Sequence, residues 1–134
     1  GGALGKQLYL RVSDLFPQNE KPAVKAGDTL RTIIVEMTSK RLGATAVVDD
    51  QSQVLGIITD GDLRRMLEEE EDLTGVDARA IMSGSPKVIQ ENALAVKALQ
   101  MMRKHSITQL IVVDDHDVYQ GFIHLHDLIR EGLI

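Results

Sequence analysis

The chain lacks cysteine altogether and is poor in aromatic residues, which make up 3% of its 134 positions. The absence of cysteine excludes disulfide bonds and thiolate metal sites. The few aromatic rings leave little surface on which nucleobases could stack, and 15 basic residues against 20 acidic ones disfavour binding to a phosphate backbone. Nucleic acid is therefore not expected as a partner.

Long apolar runs are also missing. The run of four at residues 110–113 is far shorter than the roughly 20 residues that a membrane-spanning helix needs. The N-terminus has neither the basic start nor the apolar core of a signal peptide. These features predict a cytoplasmic protein with no membrane partner, and a hydrophobic content of 43% is enough to bury the core of one domain.

The chain repeats itself at an offset of 65 residues. This offset places residues 47–50 (Val-Val-Asp-Asp) on residues 112–115 and needs no gap between Val24 and Arg65. Further identical pairs are Met37 with Met102, Gly56 with Gly121, Ile58 with Ile123, Asp62 with Asp127, Leu63 with Leu128, and Arg65 with Arg130. Because the matches fall on apolar and turn positions, they indicate two copies of one structural unit.

Each copy has the same predicted order of strand, helix, strand, strand and helix. Strands are predicted at residues 23–24, 45–49 and 54–59 in the first copy, and at 88–89, 110–113 and 118–124 in the second. The last helix of each copy is predicted from Thr59–Asp60 onward and over residues 125–130. The predicted fold class is therefore α/β, more exactly α+β, with two β-α-β-β-α repeats packed sheet to sheet.

The first helix of each copy has a predicted cap and a predicted buried face. Asp28 is the predicted N-cap in the first copy and Asn92 in the second. The expected buried positions are Leu30, Ile33, Ile34 and Met37 in the first helix, and Leu94, Ala98, Leu99 and Met102 in the second. The acidic residues 68–72 are interpreted as a solvated helix end and connector.

The segment from Gly56 to Leu63 is the main candidate for a binding site. It lies where a buried strand turns into a helix, and a helix N-terminus can hold an anion such as phosphate, here with Thr59 and neighbouring amides. Asp62, one turn further on, could then accept hydrogen bonds from two adjacent sugar hydroxyls. Asp60, which lies between Thr59 and Asp62, is a further candidate ligand-binding residue. The alternative is a purely structural capping box between Thr59 and Asp62.

The two copies of strand, helix and Val-Val-Asp-Asp, followed by Gly-Ile-Ile-Thr-x-x-Asp in the first copy and Gly-Phe-Ile-His-x-x-Asp in the second, resemble CBS domains, which occur in pairs called Bateman modules. The resemblance implies that Asp62 binds the ribose and Thr59 the phosphate of an adenosine nucleotide or related ligand. It places the partner contacts at Thr108 and Gln109. A second site would use Asp127, His124 and the junction of Gly43 and Ala44, although His124 departs from the family's threonine.

A narrower similarity links the chain to the C-terminal region of D-arabinose-5-phosphate isomerases. It rests on residues 12–15 (Val-Ser-Asp-Leu), 59–65 (Thr-Asp-Gly-Asp-Leu-Arg-Arg) and 124–128 (His-Leu-His-Asp-Leu). It implies that residues 1–11, Leu4 and Leu8 included, are a linker from an N-terminal sugar-isomerase domain. Residues 12–72 and 73–134 would be the two CBS repeats. The implied parent enzyme acts in the octulosonate and lipopolysaccharide precursor pathway.

No catalytic pair can be assembled from the sequence, so this chain is not expected to be an enzyme, and no cofactor is required. His124 and His126 could ligate a metal with Asp127, but packing or ligand contact is the favoured interpretation. Arg64 and Arg65 are either ligand contacts or solvated helix residues. The expected regulatory ligand is an adenosine nucleotide or a cytidine-monophosphate-activated sugar acid.

Two functions stay open at this point. One is a ligand-sensing module that acts on its own isomerase domain; the other is a structural oligomerisation module without a ligand. The resemblance also implies a homodimer, within a larger oligomer of the parent enzyme.

Overall fold

The computed structural model describes Gly5 and residues 7–134. Two three-stranded sheets form, each with one parallel and one antiparallel strand pair. The strands are β1 (Ala23–Lys25), β2 (Ala44–Val48), β3 (Val54–Thr59), β4 (Val88–Gln90), β5 (Gln109–Val113) and β6 (Tyr119–His124). The helices are α1 (Val12–Leu15), α2 (Leu30–Lys40), α3 (Asp60–Glu69), α4 (Ala78–Ile81), α5 (Ala95–His105) and α6 (Leu125–Arg130), and a 3-10 turn covers Phe16–Gln18.

The repeats predicted from the 65-residue offset reappear in the register of the sheets. Val47 pairs with Gly56 and Val112 pairs with Gly121, and each antiparallel pair then shifts register by one residue. Strand β3 and helix α6 have the predicted bounds, and the other predicted strands and their observed counterparts differ by only one or two residues at an end. The α/β fold with two strand-helix-strand-strand-helix repeats is thus confirmed.

The chain divides into two compact units that do not follow the order of the sequence. The first-repeat unit is Lys21–Pro86, and the second-repeat unit joins Lys87–Ile134 to the residues up to Glu20. Val12, Leu15 and Phe16 therefore belong to the core of β4–β6 and α5. Ala78 and Ile81 of α4 belong to the core of β1–β3 and α2.

Two predicted helix caps are wrong. The Asp28 carboxylate accepts a hydrogen bond from the Lys25 N–H and closes the turn after β1, so Thr29 caps α2 instead. Asn92 is exposed, and α5 begins after Leu94 without a side-chain cap. The Ala95 N–H of that first turn donates to the Leu10 carbonyl at 2.7 Å, which satisfies the backbone in the place of a cap.

Three predicted core positions also differ from the structure, and one of them, Leu30, is half-buried at the start of α2. Ile33 and Met37, four residues apart, form the buried stripe of α2, whereas Ile34 is 40% exposed because it lies about 100° around the helix from Ile33. In α5 the first fully buried residue is Ala95, while Leu94 is half-buried. Ala98, Leu99 and Met102 are buried as predicted.

Candidate functional site

The first-repeat motif lies at the junction of β3 and α3. Antiparallel pairing with β2 places Ala44 opposite Thr59, and the Asp60 N–H donates to the Gly43 carbonyl at 3.0 Å. The turn into α3 is therefore held against the start of β2 within the first-repeat unit. The N-terminus of the ten-residue helix α3 lies here, where the positive end of the helix dipole favours an anion.

Thr59 and Asp62 form a reciprocal capping box in this unit. The Thr59 hydroxyl oxygen accepts from the Asp62 N–H at 3.2 Å, and Asp62 Oδ2 accepts from the Thr59 N–H at 2.8 Å. Asp62 Oδ1 accepts from the guanidinium of Arg65, whose side chain is 63% exposed. The Asp62 side chain keeps 15% of its surface exposed, whereas its partner Arg65 lies mostly in solvent.

Asp60 and Asp62 line different cavities, although only one residue separates them. A cavity of about 190 Å³ is bordered by Asp62, Arg65, Met66, Glu69, Ala80 and Ile81, among others. Asp60 lines a cavity of about 270 Å³ with Gly43 and residues of α2. Of the two carboxylates, Asp62 is therefore the one that lies beside the Arg65 side chain.

The second-repeat motif has the same backbone arrangement and different chemistry. Asp127 Oδ2 accepts from the His124 N–H at 2.8 Å, as Asp62 does from Thr59. The same oxygen accepts from Asn19 Nδ2 at 2.8 Å, and Arg130 donates to Oδ1 at 2.6 Å. The Asp127 side chain is only 2% exposed. Asn19 also donates to the Phe122 carbonyl at 2.9 Å.

His124 takes the place of the threonine and stacks on His126. The two rings are 4.4 Å apart and nearly parallel, and His124 Nδ1 accepts from the His126 N–H at 3.0 Å. Burial lowers the pKa of His124 below its ordinary value, and the nearby His126 lowers it further against the opposing effect of Asp127. The neutral ring therefore carries its proton on Nε2, and its Nδ1 lone pair is already used.

The sequence offers His124 and His126 as candidate metal ligands. Among the described residues, no group of three or more His, Asp or Glu side chains is placed to hold a metal ion. Because His124 Nδ1 is engaged by the backbone, only Nε2 of that ring is free to act as a ligand.

Thr108 and Gln109 lie at the start of β5, in the second-repeat unit. Gln109 pairs with His124 in the sheet, and the Leu125 N–H donates to the Thr108 carbonyl at 2.7 Å. The Thr108 hydroxyl donates to Gln109 Oε1 at 3.0 Å. The structure thus places the two residues beside His124; their contribution to a ligand bound at Thr59 and Asp62 stays a prediction.

Sequence reasoning missed Asn19 and the way in which the arginines are used. Arg65 and Arg130 each pair with the aspartate three residues earlier, an i,i+3 spacing that was visible in the sequence. Asn19 had no such signal, because 108 residues separate it from Asp127.

A match to the CBS domain family model covers residues 12–69 and 78–133. The chain belongs to the CBS domain family. These two matched segments make it a tandem CBS pair, in agreement with the two repeats of the sheet register.

The chain is similar over its whole length to the CBS-containing C-terminal part of arabinose 5-phosphate isomerases KdsD. It is 40% identical to the protein of Yersinia pestis and 38% identical to that of Escherichia coli K12, in each case over 135 aligned residues. The CBS pair spans 41% of the length of each of these relatives.

The fold is shared with a solved CBS domain protein from Pyrobaculum aerophilum, which was determined with AMP. The TM-score is 0.82 at 23% identity, with 93% of this chain and 95% of the other covered. None of the helices in the described part of the chain has the length and apolar character needed to cross a membrane.

Proposed function

We propose that this CBS pair is the regulatory, ligand-binding part of an arabinose 5-phosphate isomerase and that it senses a nucleotide or sugar nucleotide. The observation that carries the proposal is the Thr59–Asp62 motif, in which a partly exposed carboxylate lies one turn inside a helix N-terminus. Ribose hydroxyls donate to Asp62, and the ligand phosphate lies near Thr59 and the first amides of α3. Thr108 and Gln109 supply contacts from the second repeat.

The relatives and the solved neighbour support this assignment. The relatives are named arabinose 5-phosphate isomerases, and the Pyrobaculum protein of the same fold was solved with AMP. Catalysis in the parent enzyme then belongs to a domain outside this chain, and the CBS pair acts on that domain. The ligand is an adenosine nucleotide or the cytidine-monophosphate-activated octulosonate, both of which offer ribose hydroxyls and a phosphate.

A thermal-shift titration with AMP, ATP and CMP tests the proposal. A ligand at a hundredfold excess over its Kd stabilises the folded state by about 2.7 kcal/mol, which corresponds to a Tm rise on the order of 10 °C for a chain of this size. Asp62→Ala should abolish the rise. Its control is Asp14→Ala, because Asp14 Oδ2 likewise accepts from the N–H of the N-cap residue, Arg11, at 2.8 Å at the start of α1.

Gly61→Ala gives a second test that leaves the fold intact. A Cβ at Gly61 would meet Arg65 and Thr59 side-chain atoms at 3.6 and 3.7 Å, which are ordinary contacts. The added methyl group therefore leaves the helix undisturbed, but it reduces the space through which a ligand reaches the N-terminus of α3. Wild-type Tm together with a weakened nucleotide response is expected; an unchanged response would mean that the ligand does not approach this turn.

The competing function is a structural oligomerisation module. It is favoured by the finding that both capping boxes are complete without any ligand. In that case no nucleotide changes the Tm, and the Asp62→Ala and Asp14→Ala variants differ from the wild type by similar losses of stability.

A further inference from the structure

The aspartates of the two repeats differ in how many donors already occupy them. Asp62 accepts from the Thr59 backbone and from an exposed Arg65. Asp127 accepts from the His124 backbone, from Arg130 and from Asn19 Nδ2, and it is almost completely buried. A ribose hydroxyl could reach Asp62 without displacing a buried group, whereas at Asp127 it would have to displace Asn19.

Displacing Asn19 would break two hydrogen bonds, because its amide nitrogen also donates to the Phe122 carbonyl. Buried polar groups that lose their partners destabilise a protein strongly, and a buried carboxylate does so most. When α1 is aligned with α4, the residue of the first-repeat unit that corresponds to Asn19 is Ser85. Ser85 is exposed and shorter, so the first repeat lacks the matching side chain.

Asn19 lies in the segment that crosses to the second-repeat unit. Residues 12–19 contribute Val12, Leu15 and Phe16 to the core of that unit. The Val12 and Ser13 amides donate to the Ala93 and Glu91 carbonyls, both at 2.8 Å. The hydrogen bond from Asn19 to Asp127 adds a polar side-chain contact at the C-terminal end of this segment.

We propose that Asp127 is a structural latch for Asn19, which fastens residues 12–19 to the second repeat, and that nucleotide binds at Thr59 and Asp62 and not at the corresponding His124 and Asp127. The binding part of this inference rests on the proposed function; the latch itself does not. His124 is then a packing residue that caps α6, with no ligand of its own.

Calorimetric titration with AMP tests the binding part. The wild type should bind one AMP per chain, Asp62→Asn should weaken AMP binding at least tenfold, and Asp127→Asn should leave the Kd within twofold. Two AMP molecules per chain, or an Asp127→Asn loss as large as that of Asp62→Asn, would overturn the inference.

Stability measurements test the latch without a ligand. Asn19→Ala should lower the Tm by about 3–6 °C and speed hydrogen exchange at the Val12 and Ser13 amides, while Gln18→Ala, an exposed neighbour, should do neither. The Tm losses of Asn19→Ala and Asp127→Ala should not add fully in the double variant, because both remove the hydrogen bond between Asn19 and Asp127. Additive losses would refute the latch.

Failure of the proposed nucleotide binding and failure of the latch give different results. If the wild type binds no AMP but the Tm losses are non-additive, the latch stands and the adenosine form of the proposed function is lost. If Asp127→Asn does not fold, the stoichiometry of the wild type and the exchange rates of Asn19→Ala against Gln18→Ala still decide the inference.

Discussion

The Thr59 hydroxyl has two tasks in the proposed site, as helix cap and as ligand contact, and a matched pair of variants separates them. Thr29 caps α2 through the same bond, accepting from the Thr32 N–H at 3.3 Å. Thr59→Ala and Thr29→Ala should each cost about 1 kcal/mol of stability. Only Thr59→Ala should also weaken the AMP-induced Tm rise. Equal responses to AMP in the two variants would assign Thr59 to capping alone.

His124 makes the stability of the chain depend on pH. Its folded pKa lies below the ordinary value of 6.5, so the unfolded chain takes up a proton there before the folded one does. The stability that the neutral His124 contributes is therefore fully present above pH 6.5 and is lost as the pH falls from 6.5 through the folded pKa.

His124→Asn removes this titration and keeps a side-chain oxygen that can accept from the His126 N–H. The difference between the Tm values at pH 7.5 and pH 5.5 should be smaller in the variant than in the wild type. An equal difference would show that other groups cause the acid destabilisation.

Strand β3 requires glycine where Met82 and Ser83, just after α4, pack against it. A Cβ at Gly56 would lie 2.6 Å from the Ser83 carbonyl oxygen, and Ile57 and Ser83 exchange two backbone hydrogen bonds at that point. Because a backbone atom cannot move aside as a side chain does, Gly56→Ala should destabilise the fold by roughly 1–3 kcal/mol. Gly84→Ala is the control, since a Cβ there would meet nothing within 4 Å. Denaturant unfolding that shows equal midpoints for the two variants would contradict this account.

Periodicity and repetition predicted the elements of this fold well. Residues 54–59 and 125–130 have the predicted bounds because a short apolar run and the capping motifs mark their limits locally. The caps at Asp28 and Asn92 were wrong because their decisive partners are backbone groups. The Lys25 N–H donates to the Asp28 carboxylate. At the start of α5 the Ala95 N–H donates to the Leu10 carbonyl, and no side chain caps the helix.

The candidate site was predictable only in part. Thr59 and Asp62 are three residues apart, so their mutual hydrogen bonds follow from helix geometry. The contact of Asn19 with Asp127 joins residues 108 positions apart, and no spacing within either repeat signals it. The offset of 65 residues aligned the two aspartates and so concealed that their surroundings differ.

Each unit contains a short segment that lies next to the other repeat in the sequence. Each of the two segments should therefore stabilise the unit in which it packs. Leu15 lies near the start of the first matched CBS segment but packs in the core of the second-repeat unit, and Ile81 lies near the start of the second segment but packs in the core of the first-repeat unit. Truncation of a buried leucine or isoleucine to alanine costs about 2–5 kcal/mol. Native-state hydrogen exchange resolves which strands lose that protection.

Leu15→Ala should speed exchange mainly in β4–β6, and Ile81→Ala mainly in β1–β3. Repeats that were contiguous in sequence, as the predicted boundary between residues 72 and 73 implies, would give the opposite assignment for both variants. Equal loss of protection in all six strands would mean that the two cores unfold as one cooperative unit. Since the crossing segment also carries Asn19, a Leu15→Ala variant should weaken the contact with Asp127 as well, and Ile81→Ala should leave it unchanged.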